Sequence, residues 1–328
     1  MRAAVVDRWM EPSELTVGEV PEPELRPGTL GITVRAAGCN FFDILMCQGK
    51  YQVKPPFPFT PGAEVAGEVT AVGEGVSGFA VGDRIFGSSG LGGFAERAVV
   101  PAAGAHRLPE GMSFEEGAAL PIIYPTSYAG LVYRAALAPG ETLLVHAAAG
   151  GVGSAAVQIG VALGAKVIAT AGGADKLEVA RRAGAHHVID YREDDFVPRV
   201  KELTDGRGAD VVYDPVGGDV FDQSLKCIAW NGRLLVIGFA GGRIPEVKAN
   251  RILLKNIAVV GLHWGAYVQH EPERIAETFE ALFALFEKGA IAPLIYKRYP
   301  LEQVAEALCD LASRKTYGKL IVTPGGAA

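Results

Sequence analysis

One short run in this 328-residue chain has the residue types and spacing of a phosphate-binding turn: Ala147-Ala148-Ala149-Gly150-Gly151-Val152-Gly153. Read as A-x-G-x-x-G, it carries Ala148 where the usual fingerprint opens with Gly. Gly150 and Gly151 lack side chains, so the backbone there can approach a pyrophosphate closely. A helix starting near Val152 adds free N–H groups and the positive end of its dipole. Gly-rich turns also serve as plain strand-to-helix connections, so the run alone is a weak signal. A dinucleotide is the expected ligand only if a strand precedes the turn and a helix follows it.

The end of the next strand decides which dinucleotide. An NAD site places Asp or Glu about 20 residues on, against the ribose 2′-hydroxyl. In KVIATAGGADK that place falls on Gly172 or Gly173, so no carboxylate repels a 2′-phosphate. Lys176 in the following turn could pair with the phosphate, although a solvated helix lysine would give the same sequence. Asp175, one residue before it, is the counter-evidence. The balance favours NADPH.

The elements around the turn supply the required context. TLLVHA reads as a buried strand and VGSAAVQIGVALG as the helix after the turn. KVIATA, HVIDY, ADVVYDPVG and GRLLVIGF read as further strands, with ADKLEVARRAGA, DDFVPRVKELT and DVFDQSLKCIAW as helices between them. Val/Ile-rich strands without polar alternation, alternating with helices, indicate a parallel sheet covered on both faces. The first part differs: Arg2–Val6, Leu15–Val20, Leu30–Ala37, Glu64–Val72 and Phe94–Val100 read as strands broken by Pro and Gly. Ser113 with Glu116 forms a candidate capping box. After residue 264, Pro272 starts and Gly289 ends a helix with Ile275, Phe279, Leu282, Phe283 and Phe286 on one face. A strand, a helix from Leu301 and the strand KLIVTP close the chain. The expected architecture is α/β: a doubly wound parallel sheet over 124–264, inserted in a mostly β domain made of 1–123 and 265–328.

Composition narrows the function classes. The chain is 49% hydrophobic and 21% charged, an ordinary globular balance, and its length suggests two domains. The net charge of −6 and the absence of a basic stripe argue against nucleic acid and anionic membrane as partners. MRAAVVDRW has charges where a signal peptide needs an apolar core, and no apolar stretch is long enough to span a bilayer. Cys39, Cys47, Cys227 and Cys309 make no CxxC and no disulfide framework, which fits a reducing cytoplasm.

Several segments carry a family resemblance: GCNFFDILMCQGKY, PFTPGAEVAGEVTAVGEGV, LPIIYPTSY, HAAAGGVGSAAVQ, YDPVGG and GKLIVTP. In this order, over essentially the whole chain, they resemble the quinone oxidoreductase (zeta-crystallin-like) group of the medium-chain dehydrogenase/reductase superfamily. The resemblance implies a GroES-like substrate domain, a Rossmann domain inserted in it, a cleft between the two, and a homodimer built through the nucleotide domains. It places Asn40 and Asp43 by the nicotinamide ribose or the substrate, although either could simply cap the helix in NFFDILMCQG. Tyr51 in QGKY matches a tyrosine that quinone reductases place at the cofactor. Related enoyl thioester reductases use a Tyr in a similar run as proton donor; the alternative for Tyr51 is packing. Thr126 matches a contact to the nicotinamide carboxamide, or else bonds its own helix backbone. Tyr191, aided by Arg192, matches a contact to the 2′-phosphate or adenosine; Phe239, Trp264 and Arg314 match contacts to the nicotinamide half.

The resemblance also raises the question of zinc. A catalytic zinc needs three protein ligands and an open position. Zinc-dependent relatives take the first from the Cys of G-x-C-x-x-D, whereas here Gly38-Cys39-Asn40-Phe41-Phe42-Asp43 puts Asn40 in that place. The second comes from the His of GHE, and here Gly62-Ala63-Glu64 offers Ala63. The four-cysteine lobe of structural zinc is missing, so no metal is expected. Without a Lewis acid an unactivated alcohol is a hard substrate, whereas quinones and activated alkenes accept hydride with less help. Three readings stand: reduction of a quinone by one or two electrons from NADPH, reduction of a 2-enoyl thioester or enone, and a non-catalytic NADPH-binding structural or regulatory protein.

Overall fold

The computed structural model describes residues 1–325; residues 326–328, expected in the β-rich part, lie outside the described residues. The chain forms two compact units, one of Met1–Ile122 with the chain from Pro293 onward, the other of Ile123–Ala292.

The second unit is a six-stranded, all-parallel sheet. Its strands lie in the order His187–Asp190, Lys166–Ala171, Thr142–Val145, Ala209–Asp214, Ile228–Val236, Ala258–Gly261. In chain order this is 3-2-1-4-5-6, the doubly wound arrangement of dinucleotide-binding folds. The central strands are buried on both faces, with Leu143, Leu144, Val145, Val211 and Val212 fully enclosed. Burial of this kind explains why these strands read as continuous apolar runs. Truncating Leu144, which packs against Ile168, Val212 and Leu234 in one cluster, to Ala would cost about 2–5 kcal/mol.

Two details depart from the sequence reading. The helix expected through Trp230 stops at Cys227, and Ile228–Trp230 already belongs to the fifth strand. Ile228 and Ala229 are buried, and Ile228 pairs with Ala209, so sheet pairing overrides the helical pattern. Residues 265–292, expected in the β-rich part, belong instead to the second unit. The reason is packing: Phe279 and Leu282 of the helix Glu273–Glu287 are buried, Thr278 shares a hydrogen bond with Tyr133, and Gln158 donates to the Ala292 carbonyl.

The first unit is built on the long strand Thr29–Gly38, which pairs antiparallel with Glu64–Val72, Arg97–Pro101 and Lys319–Thr323. Ile295–Pro300 adds to one side of this sheet, and Arg84–Ser88 with Ala105–Arg107 to the other. The first and last parts of the chain therefore share one sheet and one core, in which Leu30, Ile32 and Val34 meet Leu320 and Val322. Ser113 and Glu116 form the reciprocal capping box at the start of Phe114–Ala118.

Candidate functional site

The strand Thr142–Val145 runs into the Gly-rich turn, and the helix Gly151–Ala162 follows. Ala147 takes the left-handed conformation at φ 48°. Gly153 lies so close to the turn that a Cβ would sit 2.2 Å from the Ala147 carbonyl oxygen, a position only glycine can hold. Gly150 is the N-cap, and no side chain caps the helix, so the N-terminal N–H groups at Gly151 and Val152 are left for a ligand. The segment carrying Thr126, Ile123–Tyr128, packs beside this turn, with Ser127 Oγ 3.0 Å from the Val152 carbonyl oxygen.

The other nucleotide-side candidates follow the carboxyl ends of the remaining parallel strands. Gly172 and Gly173 follow Lys166–Ala171, and Tyr191 with Arg192 follows His187–Asp190. Gly217, Phe239 and Trp264 follow the fourth, fifth and sixth strands. Parallel strands bring all of these loops to one edge of the sheet, the edge where doubly wound folds bind ligands. Phe239 lies against Gly217, where a Cβ would meet the Phe239 ring at 3.0 Å.

Gly172, Gly173, Lys176, Tyr191 and Arg192 converge. A Cβ on Gly172 would sit 2.7 Å from the Tyr191 hydroxyl and 2.8 Å from Arg192 Nε; one on Gly173 would sit 3.1 Å from Arg192 Nη1. Both glycines thus make room for the two side chains. Asp190 holds this corner by accepting from the Gly173 and Arg192 N–H groups, at 3.0 Å each. Burial first, and then the Arg192 guanidinium, push the Lys176 ammonium below its usual range. Arg192, Lys176, the Tyr191 phenol and the Asp190 carboxylate thus meet at one corner.

In the first unit, Asn40, Asp43 and Tyr51 gather around the short helix Phe41–Cys47. Asp43 Oδ2 accepts from the Asn40 backbone N–H at 2.7 Å, so the carboxylate reaches back to the helix start. Asn40 is the N-cap residue, in a capping box with Asp43, and its side chain is tied elsewhere as well: Oδ1 accepts from Lys319 Nζ at 2.8 Å and Nδ2 donates to Glu64 Oε1 at 2.9 Å. Asp43 is fully enclosed, and among the described residues its Oδ1 has no hydrogen-bond partner. Burial pushes its carboxyl up to about 7, opposed by the Asn40 N–H and the Lys319 charge. Tyr51 is half-buried, its ring 5.5 Å from that of Phe42; burial and the Asp43 charge raise its phenol. Arg314, in the left-handed region at φ 57°, follows the helix Val304–Ala312 in this same unit, whereas Phe239 and Trp264 belong to the second unit.

Glu64 and Lys319 are the residues that the sequence reading missed. The available signals were a lysine opening the apolar strand KLIVT and a glutamate opening EVAGEVTAV. Both charges sit where the strand pattern demands burial.

The donor set does not suit zinc. Burial pushes the Cys39 thiol far above its usual range, away from the thiolate a metal needs. Asn40 and Glu64 already hold the Lys319 ammonium, and Ala63 has no donor. Among the described residues no group of three or more His, Cys, Asp or Glu could hold a metal ion. No helix of the described residues is long and apolar enough to cross a membrane.

Comparison with known proteins agrees with this architecture. Residues 26–110 match the alcohol dehydrogenase GroES-like domain family, and residues 151–285 match the zinc-binding dehydrogenase family. The quinone oxidoreductase-like protein 2 homolog of Nematostella vectensis is 45% identical over 294 residues, covering 89% of this chain and 80% of that protein. The structure of Escherichia coli quinone oxidoreductase complexed with NADPH matches with a TM-score of 0.91 and 34% identity, covering 99% of this chain and 100% of that one. The CurK enoyl reductase structure matches with a TM-score of 0.87 and 29% identity, over 98% of each chain. The fold and site therefore define an oxidoreductase with a GroES-like and a Rossmann-type part. The chain belongs to the quinone oxidoreductase (zeta-crystallin-like) group of the medium-chain dehydrogenase/reductase superfamily.

Proposed function

We propose that this protein uses NADPH, without a metal, to reduce quinone-type acceptors. The observation that supports the cofactor choice is the corner where Arg192 and Tyr191 lie over Gly172 and Gly173, two side-chain-free residues, with Lys176 close enough to feel the Arg192 charge. A 2′-phosphate would pair with the Arg192 guanidinium here, and Gly172 and Gly173 stand where an NAD site carries a carboxylate for the ribose 2′-hydroxyl. Gly151 and Val152 hold the pyrophosphate through backbone N–H groups, Gly150 lets the phosphate approach while its own N–H holds the turn by donating to the Ala147 carbonyl, and Thr126, Phe239 and Trp264 hold the nicotinamide half. Arg314 is a further contact of that kind. Bound NADPH supplies a hydride to the acceptor. Asn40 orients the reactants through its amide, and Asp43 holds the helix that presents it. Tyr51, a phenol kept neutral by burial, donates a hydrogen bond or proton to the oxygen that gains charge.

The same phenol supports a second reading, reduction of a 2-enoyl thioester or enone, and the likeness to an enoyl reductase favours keeping it. The apolar Leu253 and Leu254, exposed on the helix before the last strand, and the exposed Trp230 support a homodimer through the nucleotide-binding units. Four free cysteines support a reducing, cytoplasmic setting. The deciding experiment is steady-state oxidation of NADPH and of NADH with 1,4-benzoquinone and with a crotonyl thioester. Turnover of the quinone with NADPH alone supports the proposal. Turnover of the thioester transfers it to enoyl reduction. NADPH binding without turnover of either makes the non-catalytic reading the better one.

A further inference from the structure

The buried ion pair in the first unit has no role in the reading above. Lys319 is 2% exposed, Glu64 is fully enclosed and Asn40 is 8% exposed. The Lys319 ammonium donates all three of its hydrogens: to the Cys39 carbonyl at 2.7 Å, to Asn40 Oδ1 at 2.8 Å, and to Glu64 Oε1. Glu64 Oε1 also accepts from Asn40 Nδ2 at 2.9 Å, and its Oε2 accepts from the Ile122 N–H at 3.1 Å. Gly38 keeps the niche open, since a Cβ there would sit 2.3 Å from Glu64 Oε1.

A buried ion pair is a poor device for stability. Two charges lose their hydration, and well-packed apolar residues often serve as well or better. What this pair does is specify one orientation of one amide. The ammonium faces the carbonyl end of Asn40 and the carboxylate faces its amino end. A flipped amide would set NH₂ against NH₃⁺ and C=O against COO⁻, which is costly in a dry interior. The Asn40 backbone is pinned separately, by its N–H to Asp43 Oδ2. Of the two Nδ2 hydrogens one is taken by Glu64, and the second has no partner among the described residues.

We infer that Lys319, seated on Glu64, is a positioning residue that locks the Asn40 side chain with one N–H free as a hydrogen-bond donor to the bound reactants. With its three hydrogens committed, Lys319 has none to transfer, so it acts only through Asn40. The inference rests on the proposal that Asn40 serves the reduction. Removing the pair together, as Glu64→Gln/Lys319→Met, leaves neither partner's charge unpaired and keeps similar volume; Asp43, which loses the Lys319 charge, then holds its proton more readily.

The test is a double-mutant cycle on kcat for NADPH and 1,4-benzoquinone, comparing wild type, Asn40→Ala, Glu64→Gln/Lys319→Met and the triple variant. A lost supporting contact typically lowers activity on the order of 10- to 100-fold. The expectation is a loss of that size for Glu64→Gln/Lys319→Met, and no further loss when it is added to Asn40→Ala. Multiplying losses, or an unchanged kcat in the Glu64→Gln/Lys319→Met variant, would overturn the inference. NADPH titration by fluorescence should give the same Kd in wild type and the Glu64→Gln/Lys319→Met variant, because the phosphate-binding groups lie in the other unit. A second readout does not depend on activity. In ¹⁵N-labelled apoprotein the Asn40 side-chain NH₂ signal, assigned by its absence in Asn40→Ala, should be protected from exchange in wild type and lose protection in Glu64→Gln/Lys319→Met. Equal protection would also refute the lock. Wild type that binds NADPH but turns over no acceptor would defeat the functional proposal, while the exchange measurement would still decide the lock.

Discussion

Arg192→Ala tests the phosphate corner most directly. Its guanidinium reaches over both Gly172 and Gly173, and it is the nearest charge that depresses the Lys176 ammonium. Removing it has two opposed effects. One charge-assisted hydrogen bond to the 2′-phosphate is lost, worth about 1.5–3 kcal/mol, or roughly 10- to 150-fold in Kd. At the same time Lys176 is relieved of a like charge and pairs more readily with the phosphate. Arg192 is solvent-exposed, which screens the interaction further. The low end of the range follows: NADPH binding should weaken about 10-fold, by less at high salt, with NADH affinity unchanged. Lys176→Ala should act in the same direction. Fluorescence titration of both dinucleotides at two salt concentrations measures all of this. Equal weakening of NADPH and NADH, or no change in NADPH affinity, would refute the assignment.

Replacing Gly153 with Val forces a Cβ onto the Ala147 carbonyl oxygen, so the turn must open and NADPH binding should be lost; an unchanged titration would remove the turn from the site. Tyr51→Phe should lower the rate with an enoyl thioester far more than with a quinone, whose reduction needs less proton donation; equal losses would make Tyr51 a packing residue. His146 gives a pH prediction. It is buried between Thr170 and Ser224, at 2.9 Å from each hydroxyl, and Ser224 also donates to the Val220 carbonyl at 2.7 Å. Ser224 must then accept from Nε2–H, and burial pushes the imidazole pKa down to about 3, which keeps the ring neutral. Below about pH 6.5 the unfolded chain takes up the proton and the folded one does not, so stability falls as pH falls. The loss from this group is about 2 kcal/mol between pH 6.5 and pH 5. Denaturant midpoints for wild type should drop more steeply over that window than those of His146→Asn, and parallel slopes would contradict the account.

Much of the second unit was legible in the sequence, because its signals are local. A strand, a Gly-rich turn and a helix lie in consecutive residues, and Val/Ile runs mark strands buried on both faces. Ala148 in place of Gly was tolerable because the left-handed residue is Ala147. The absence of a carboxylate at Gly172 and Gly173 could likewise be read directly, since that choice rests on one short stretch of chain. The place where the chain returns to the first unit was not legible. Residues 265–292 join the second unit through the burial of Phe279 and Leu282, and amphipathic spacing shows that a face is buried without showing against what. Ile228–Trp230 went the same way, since pairing with the fourth strand decided a segment whose local pattern suited a helix. The ion pair is the clearest case. Asn40, Glu64 and Lys319 are joined only because the first and last parts of the chain share one sheet, with Ile321 paired to Gly38. In sequence Lys319 is one more lysine and Asn40 one more candidate cap. Burial without water turns them into a fixed charge and a fixed amide, and burial is a property of the tertiary structure alone.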